Sequence, residues 1–225
     1  MPELPSGTVT FLFTDIEGST SRWEQHPEQM RAALARHDDL LRSAIEEQGG
    51  YIFKTMGDAF CAAFSSPHAA LSAALASQRA LQGEQWPEHI GAIKVRMALH
   101  TGAVEEQAGD YFGQPLNRVA RLLSAGHGGQ TLLSLATQEL VRDQLPLNLW
   151  LQDLGEHRLK DLIRPERVFQ LVAPGLPSNF PPLRTLDNRP NNLSVQPTPL
   201  IGREKELAAI EKMLRREDVR LVTLT

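Results

Sequence analysis

The sequence predicts an α+β fold in which helices cover an antiparallel-rich sheet. Two observations carry this. Helical and strand-like blocks alternate along the chain, and hairpin patterns are interleaved among them. The apolar run Val9 to Phe13 reads as a first strand, ending at Asp15 and followed by a Gly18-Ser19-Thr20 turn and a long amphipathic stretch. Gly49-Gly50 stops that helix. Tyr51 to Lys54 and Ala59 to Phe64 then form a hairpin around Met56-Gly57-Asp58. Pro67 to Gln82, rich in Ala and Leu, is a helix. Ile93 to His100 is a strand expected to turn back through Gly102 into Ala103-Val104. A Gly-bounded loop carries Asp110 into a helix from Pro115 to Ser124, where Pro115 costs little in the first turn. Gln130 to Ser134 is a short strand, Leu135 to Arg142 a short helix, and Leu149 to Leu154 and Arg167 to Val172 are the last strands.

Composition narrows the function classes. A chain of 225 residues can bury one good core with length left over. A net charge of −4 does not suggest a nucleic-acid groove. No apolar run approaches a membrane span and the N-terminus does not read as a signal peptide, so a cytoplasmic globular protein is expected. The single Cys61 excludes an internal disulfide and reads as a small buried residue. None of the seven histidines forms a metal-ligand spacing; His100 reads as a strand-end residue. Gly126-His127-Gly128-Gly129 is a helix-ending loop and not a phosphate cradle, because no Gly-Lys-Ser/Thr follows.

Chemistry gathers in three segments. In Phe11-Leu12-Phe13-Thr14-Asp15-Ile16-Glu17-Gly18-Ser19-Thr20, a strand hands a carboxylate to a helix N-terminus, where free N–H groups favour an anion. Asp15 would repel a phosphate there unless a divalent cation lay between them; a plain helix cap at Asp15 or Ser19 fits the same pattern. Asp58, in Lys54-Thr55-Met56-Gly57-Asp58, sits at a hairpin tip that can lie beside the strand carrying Asp15. Two carboxylates at adjacent strand ends suit hard divalent ions completed by substrate phosphates. Asn117 and Arg121 share a helix face, suited to a polar or anionic ligand or to a solvated surface.

With Gly109-Asp110-Tyr111-Phe112-Gly113-Gln114-Pro115-Leu116-Asn117-Arg118-Val119-Ala120-Arg121, these motifs resemble the class III nucleotidyl cyclases, the adenylyl and guanylyl cyclase catalytic domains, from about Gly7 to Val172. The likeness is greatest to bacterial cyclase domains that precede signalling NTPase modules. The resemblance implies a ferredoxin-like βαββαβ core with added strands. It implies Asp15, Asp58 and the Ile16 carbonyl as ligands of two Mg2+ or Mn2+ ions. It implies Lys54 and Asp110 as readers of adenine, hence ATP over GTP, and Asn117 and Arg121 as the groups that steady the ribose and the α-phosphate. In Gly155-Glu156-His157-Arg158-Leu159-Lys160-Asp161, Lys160, or else Arg158, is the expected triphosphate contact. The resemblance further implies a homodimer with shared sites, the metal carboxylates from one subunit and the Lys/Asp and Asn/Arg sets from the other. The rival expectations are a guanylyl cyclase and an idle nucleotide-sensing or dimerisation module.

Residues 1–173 are thus the expected catalytic domain. Residues 174–199, crowded with Pro, Asn and Ser, read as an extended linker that wraps the domain surface. Residues 200–225, with Ile201-Gly202-Arg203-Glu204, a helix and a strand from Val219, are expected to be the start of an NTPase domain continuing beyond this chain.

Overall fold

Nine strands and six α-helices are seen in the computed structural model, which describes residues 4–107, 109–187 and 204–216. Strand β1 (Thr8–Ile16) is the organising element. Val9, Phe11 and Phe13 point to one face of the sheet and Leu12 and Ile16 to the other, and all are buried. Burial on both faces explains why this strand reads as an apolar run and not as an alternation.

The main sheet has seven strands in the order β2-β3-β1-β4-β7-β9-β8. Strands β2 (Tyr51–Met56) and β3 (Ala59–Phe64) form the expected hairpin, and β3 lies antiparallel against β1. Strand β4 (Val95–Ala103) covers the other edge of β1, also antiparallel. These four strands with their helical crossovers are the βαββαβ core expected from the sequence. The added strands are β7 (Thr131–Ser134), parallel to β4, then β9 (Glu166–Val172) and β8 (Trp150–His157), each antiparallel to its neighbour. A separate two-stranded ribbon pairs β5 (Glu105–Gln107) with β6 (Asp110–Phe112).

The stretch after β1 is two helices, α1 (Ser19–Gln25) and α2 (Pro27–Glu47), split at His26. Proline at 27 disfavours a helical conformation for the residue before it, and His26 is held at φ −142°. Helix α2 turns Met30, Ala33, His37, Leu41, Ala44 and Ile45 inward at helical spacing. It packs with α3 (Pro67–Gly83) on one sheet face, and α5 (Leu135–Val141) contacts β4, β9 and α3. On the opposite face lies α4 (Gln114–Ala125), buried through Val119, Leu122 and Ala125. Beside it, Phe53, Phe11 and Tyr111 meet edge-to-face with ring centroids 5.0–5.9 Å apart.

Three expectations are corrected. Strand β4 runs on through Gly102 to Ala103 and does not turn back there. Asp110 opens a short strand and is not in an irregular loop. No Asp15 or Ser19 side chain caps α1; Gly18 takes the cap position with no side-chain bond. Past β9, Leu183 and Thr185 are buried within residues 174–187; the rest of the expected linker, 188–199, lies outside the described residues. Met1–Arg189 forms one compact unit and Pro190–Thr225 another, in which α6 (Glu204–Leu214) falls within the expected helix. The expected strand from Val219 and the lead-in at Ile201 lie outside the described residues. Among the described residues no helix is long and apolar enough to cross a membrane.

Cys61 is buried in β3, and burial pushes its thiol up to about 11. The native protein should therefore resist iodoacetamide at pH 7.5 and react only after denaturation, as intact-mass measurement would record.

Candidate active site

The antiparallel register of β1 and β3 builds the acidic half of the site. Thr14 pairs with Phe60, so two residues further along each strand Ile16 and Asp58 come opposite one another. The Ile16 N–H donates to Asp58 Oδ2 at 2.9 Å. Asp58 is carried by a two-residue turn in which Gly57 has φ +62°, the sign a type II′ turn needs at its first central residue. Asp15 precedes Ile16 on β1 and shares its face with Phe11 and Phe13.

The two carboxylates are close enough for their charges to act on each other. Burial pushes the Asp15 carboxyl above its usual range, the Arg96 guanidinium pulls it back, and the Asp58 and Glu17 charges push it up again. Arg96, opposite Asp15 on β4, grips it with both arms: Nε to Oδ1 at 2.7 Å and Nη2 to Oδ2 at 2.5 Å. This arginine was missed from the sequence, although its position in the strand before His100 allows it to reach the sheet end.

Hard oxygen donors, mutual repulsion and one cation already drawn onto Asp15 fit a divalent-ion site. The described residues include no group of three His, Cys, Asp or Glu side chains fit to hold a metal. Asp15, Asp58 and the Ile16 carbonyl are therefore an open set, of the kind that suits an ion sharing its coordination with water and substrate phosphate.

The second half lies on the α4 face of the sheet. Lys54 Nζ and Asp110 Oδ2 stand 3.3 Å apart, although 56 residues separate them. A register shift in β2 between Ile52 and Lys54, beside the aromatic cluster, accompanies this placement. Both side chains remain partly exposed. Asn117 is exposed on α4 and Arg121 half-buried, pointing away from the Val119 and Leu122 that the helix buries. Arg121 Nη2 pairs at 2.6 Å with Asp161, which has φ +61° in the β8–β9 loop. Lys160, next to it, is exposed, as is Arg158. Among the described residues, no hydrogen bond or ion pair joins the Asp15–Asp58 pair to Lys54, Asp110, Asn117 or Arg121. Each half has its own ion pair or hydrogen bond within the chain, Asp58 with the Ile16 N–H and Lys54 with Asp110.

His100 is buried in mid-strand and not at the strand end, with Nδ1 2.7 Å from Ser134 Oγ. Among the described residues no hydrogen bond joins it to Asp15, Asp58, Lys54, Asp110, Asn117 or Arg121.

Comparison with known proteins gives the family. Residues 1–168 match the family model described as the adenylate and guanylate cyclase catalytic domain. An uncharacterised protein of Mycobacterium tuberculosis is 41% identical over 207 residues, covering 91% of this chain and 70% of the relative. Among solved structures, adenylate cyclases from Trypanosoma brucei in their monomeric state superpose with a TM-score of 0.71 at 32% identity, over 82% of this chain and 97% of that one. An adenylate/guanylate cyclase/hydrolase from Silicibacter pomeroyi does so with a TM-score of 0.65 at 30% identity, over 73% and 96%. The chain belongs to the class III nucleotidyl cyclase catalytic domain family.

Burial, aided by the Arg118 charge, lowers the His100 pKa from its ordinary 6.5 to about 4. The folded state keeps it neutral, so stability is complete above pH 6.5 and falls as the pH drops towards 4. The loss from this group should be on the order of 3 kcal/mol. Urea midpoints at pH 7 and pH 4.5 should show a smaller acid-side drop for His100→Asn than for the parent.

Proposed function

We propose that this chain is an adenylyl cyclase that converts ATP to 3′,5′-cyclic AMP and pyrophosphate, with two Mg2+ or Mn2+ ions per site at a homodimer interface. The observation that carries ATP over GTP is the Lys54–Asp110 pair. Adenine offers a ring nitrogen that accepts and an exocyclic amine that donates. An ammonium and a carboxylate side by side match that edge. A guanine reader would need an acceptor for the ring N–H and a donor for O6.

In the reaction the ribose 3′-oxygen attacks the α-phosphorus in line. The new O3′–P bond forms as the bond to the bridging oxygen breaks, pyrophosphate leaves, and the hydroxyl proton passes to solvent. The ions, when held by Asp15, Asp58 and the Ile16 carbonyl, supply activation of the 3′-hydroxyl and charge neutralisation on the phosphates. Arg121 meets the charge that grows on the α-phosphoryl oxygens, and Asn117, one helical turn earlier, orients the ribose. Lys160, or Arg158 beside it, lies in a loop suited to the triphosphate. Arg96, which balances Asp15 in the protein alone, stands at the same sheet end as a further cation for the leaving phosphates.

That no hydrogen bond or ion pair joins the two halves among the described residues is consistent with the dimer. Asn117 and Arg121 face outward on α4, as residues serving a partner's carboxylates would. An idle nucleotide-sensing module is the other reading, favoured by the ion pairs that occupy Asp15 and Arg121.

Product identification from ATP and from GTP with Mg2+ or Mn2+ separates the readings. We expect cyclic AMP and pyrophosphate from ATP and little turnover of GTP; nucleotide binding without pyrophosphate release would favour the idle module. Asp58→Ala should abolish turnover. Arg121→Ala should lower it by roughly 10²–10³-fold, about 2.7–4 kcal/mol. Mixing the two inactive chains should restore activity in mixed dimers, and no recovery after confirmed mixing would place the whole site within one chain.

A further inference from the structure

The segment after the last strand folds back and touches the loops of both site halves. Gln170 Nε2 donates to the Ser178 carbonyl at 2.7 Å, and the Arg184 N–H donates to the Ala125 carbonyl at 2.9 Å. At its far end the Leu186 N–H donates to the Arg158 carbonyl at 3.1 Å, while Asp187 Oδ2 accepts the Arg158 N–H at 2.7 Å. Arg158 begins the loop in which Asp161 holds Arg121. Between these anchors, Arg184 Nη2 reaches Glu17 Oε1 at 2.6 Å.

Glu17 directly follows Asp15-Ile16 and is tied on every side. Its N–H donates to the Lys94 carbonyl at 2.9 Å, and its own carbonyl accepts from Arg22 Nη1 at 2.6 Å. Its carboxylate takes the Gly128 N–H on one side and Arg184 on the other. The approach at Gly128 is close: a Cβ there would stand 2.6 Å from Lys94 Cβ and 2.9 Å from Glu17 Oε2, which explains a glycine at this position.

We propose that Arg184 is a positioning residue for the divalent-ion site, fixing the end of β1 at Asp15-Ile16 through its ion pair with Glu17, the residue that follows. The segment 174–187 is then part of the active-site scaffold and not a passive connector. The inference rests on the ion site put forward above. Stability is not a sufficient reason for the pair, because its side chains are 50% and 30% exposed and exposed pairs add little. Position is a stronger reason, since the groups that orient metal ligands typically govern metal affinity.

The test is Mn2+ binding to the full chain, read by electron paramagnetic resonance of the free ion with a non-cyclisable ATP analogue present. Arg184→Ala should weaken Mn2+ binding by about 10–100-fold at an unchanged urea midpoint, and Arg184→Lys should recover most of it. Parent-like Mn2+ affinity in Arg184→Ala would overturn the inference. So would a loss that Arg184→Lys fails to recover, or one that only tracks a lowered urea midpoint. Asp58→Ala, run alongside, separates the two levels. If it still binds Mn2+ like the parent, the ion site itself is misassigned. If it loses binding while Arg184→Ala does not, only the role of Arg184 fails.

Discussion

The pairing of β1 with β3 is the constraint on which the rest depends. Its register brings the Ile16 main chain to Asp58 and so sets two carboxylates side by side at one end of the sheet. A slip of one residue would turn the Phe11 and Phe13 side chains out of their core and carry Asp15 to the opposite face. The hydrophobic pattern that stabilises the sheet therefore also fixes the chemistry. Core and candidate site share one register.

Placing like charges together in a partly buried position opposes folding, and the structure shows what offsets it. Arg96, in register with Asp15 across β4, supplies a paired cation. The Ile16 N–H takes one oxygen of Asp58. Arg121 is likewise matched by Asp161. In the protein alone each charged group that the reaction would use has an internal partner, or stands exposed. Under the proposed function, bringing nucleotide and ions to the site would mean exchanging these partners for phosphates and metal, an exchange of ion pairs and not the filling of bare charges.

Much of this was legible in the sequence, for physical reasons. The Gly57-Asp58 turn, the Gly49-Gly50 stop and the apolar run to Phe13 are local signals, and each element they mark is present. Lys54 and Asp110 were linked through the family resemblance, and they meet at 3.3 Å. The misses are non-local or too short for periodicity. Arg96 and Asp15 are 81 residues apart, and no local pattern announces their pairing. Strands β5 and β6 have three residues each, too few to show alternation, so the sequence pattern alone places Asp110 in a loop. The break between α1 and α2 at Pro27 is another miss, because the amphipathic pattern runs across it and reads as one long stretch. The contacts made by residues 174–187 were illegible in detail, because Pro-rich composition predicts an extended chain and not which carbonyls and carboxylates it meets.

The central claim is that Asp15 and Asp58 of one chain jointly hold divalent ions. Anomalous scattering at the manganese edge, from crystals grown with Mn2+ and a non-cyclisable ATP analogue, addresses it most directly. The account predicts peaks in contact with both carboxylates and the nucleotide phosphates, with Arg96 released from Asp15. Nucleotide bound with no manganese at these oxygens, and the Asp15–Arg96 pair intact, would contradict it.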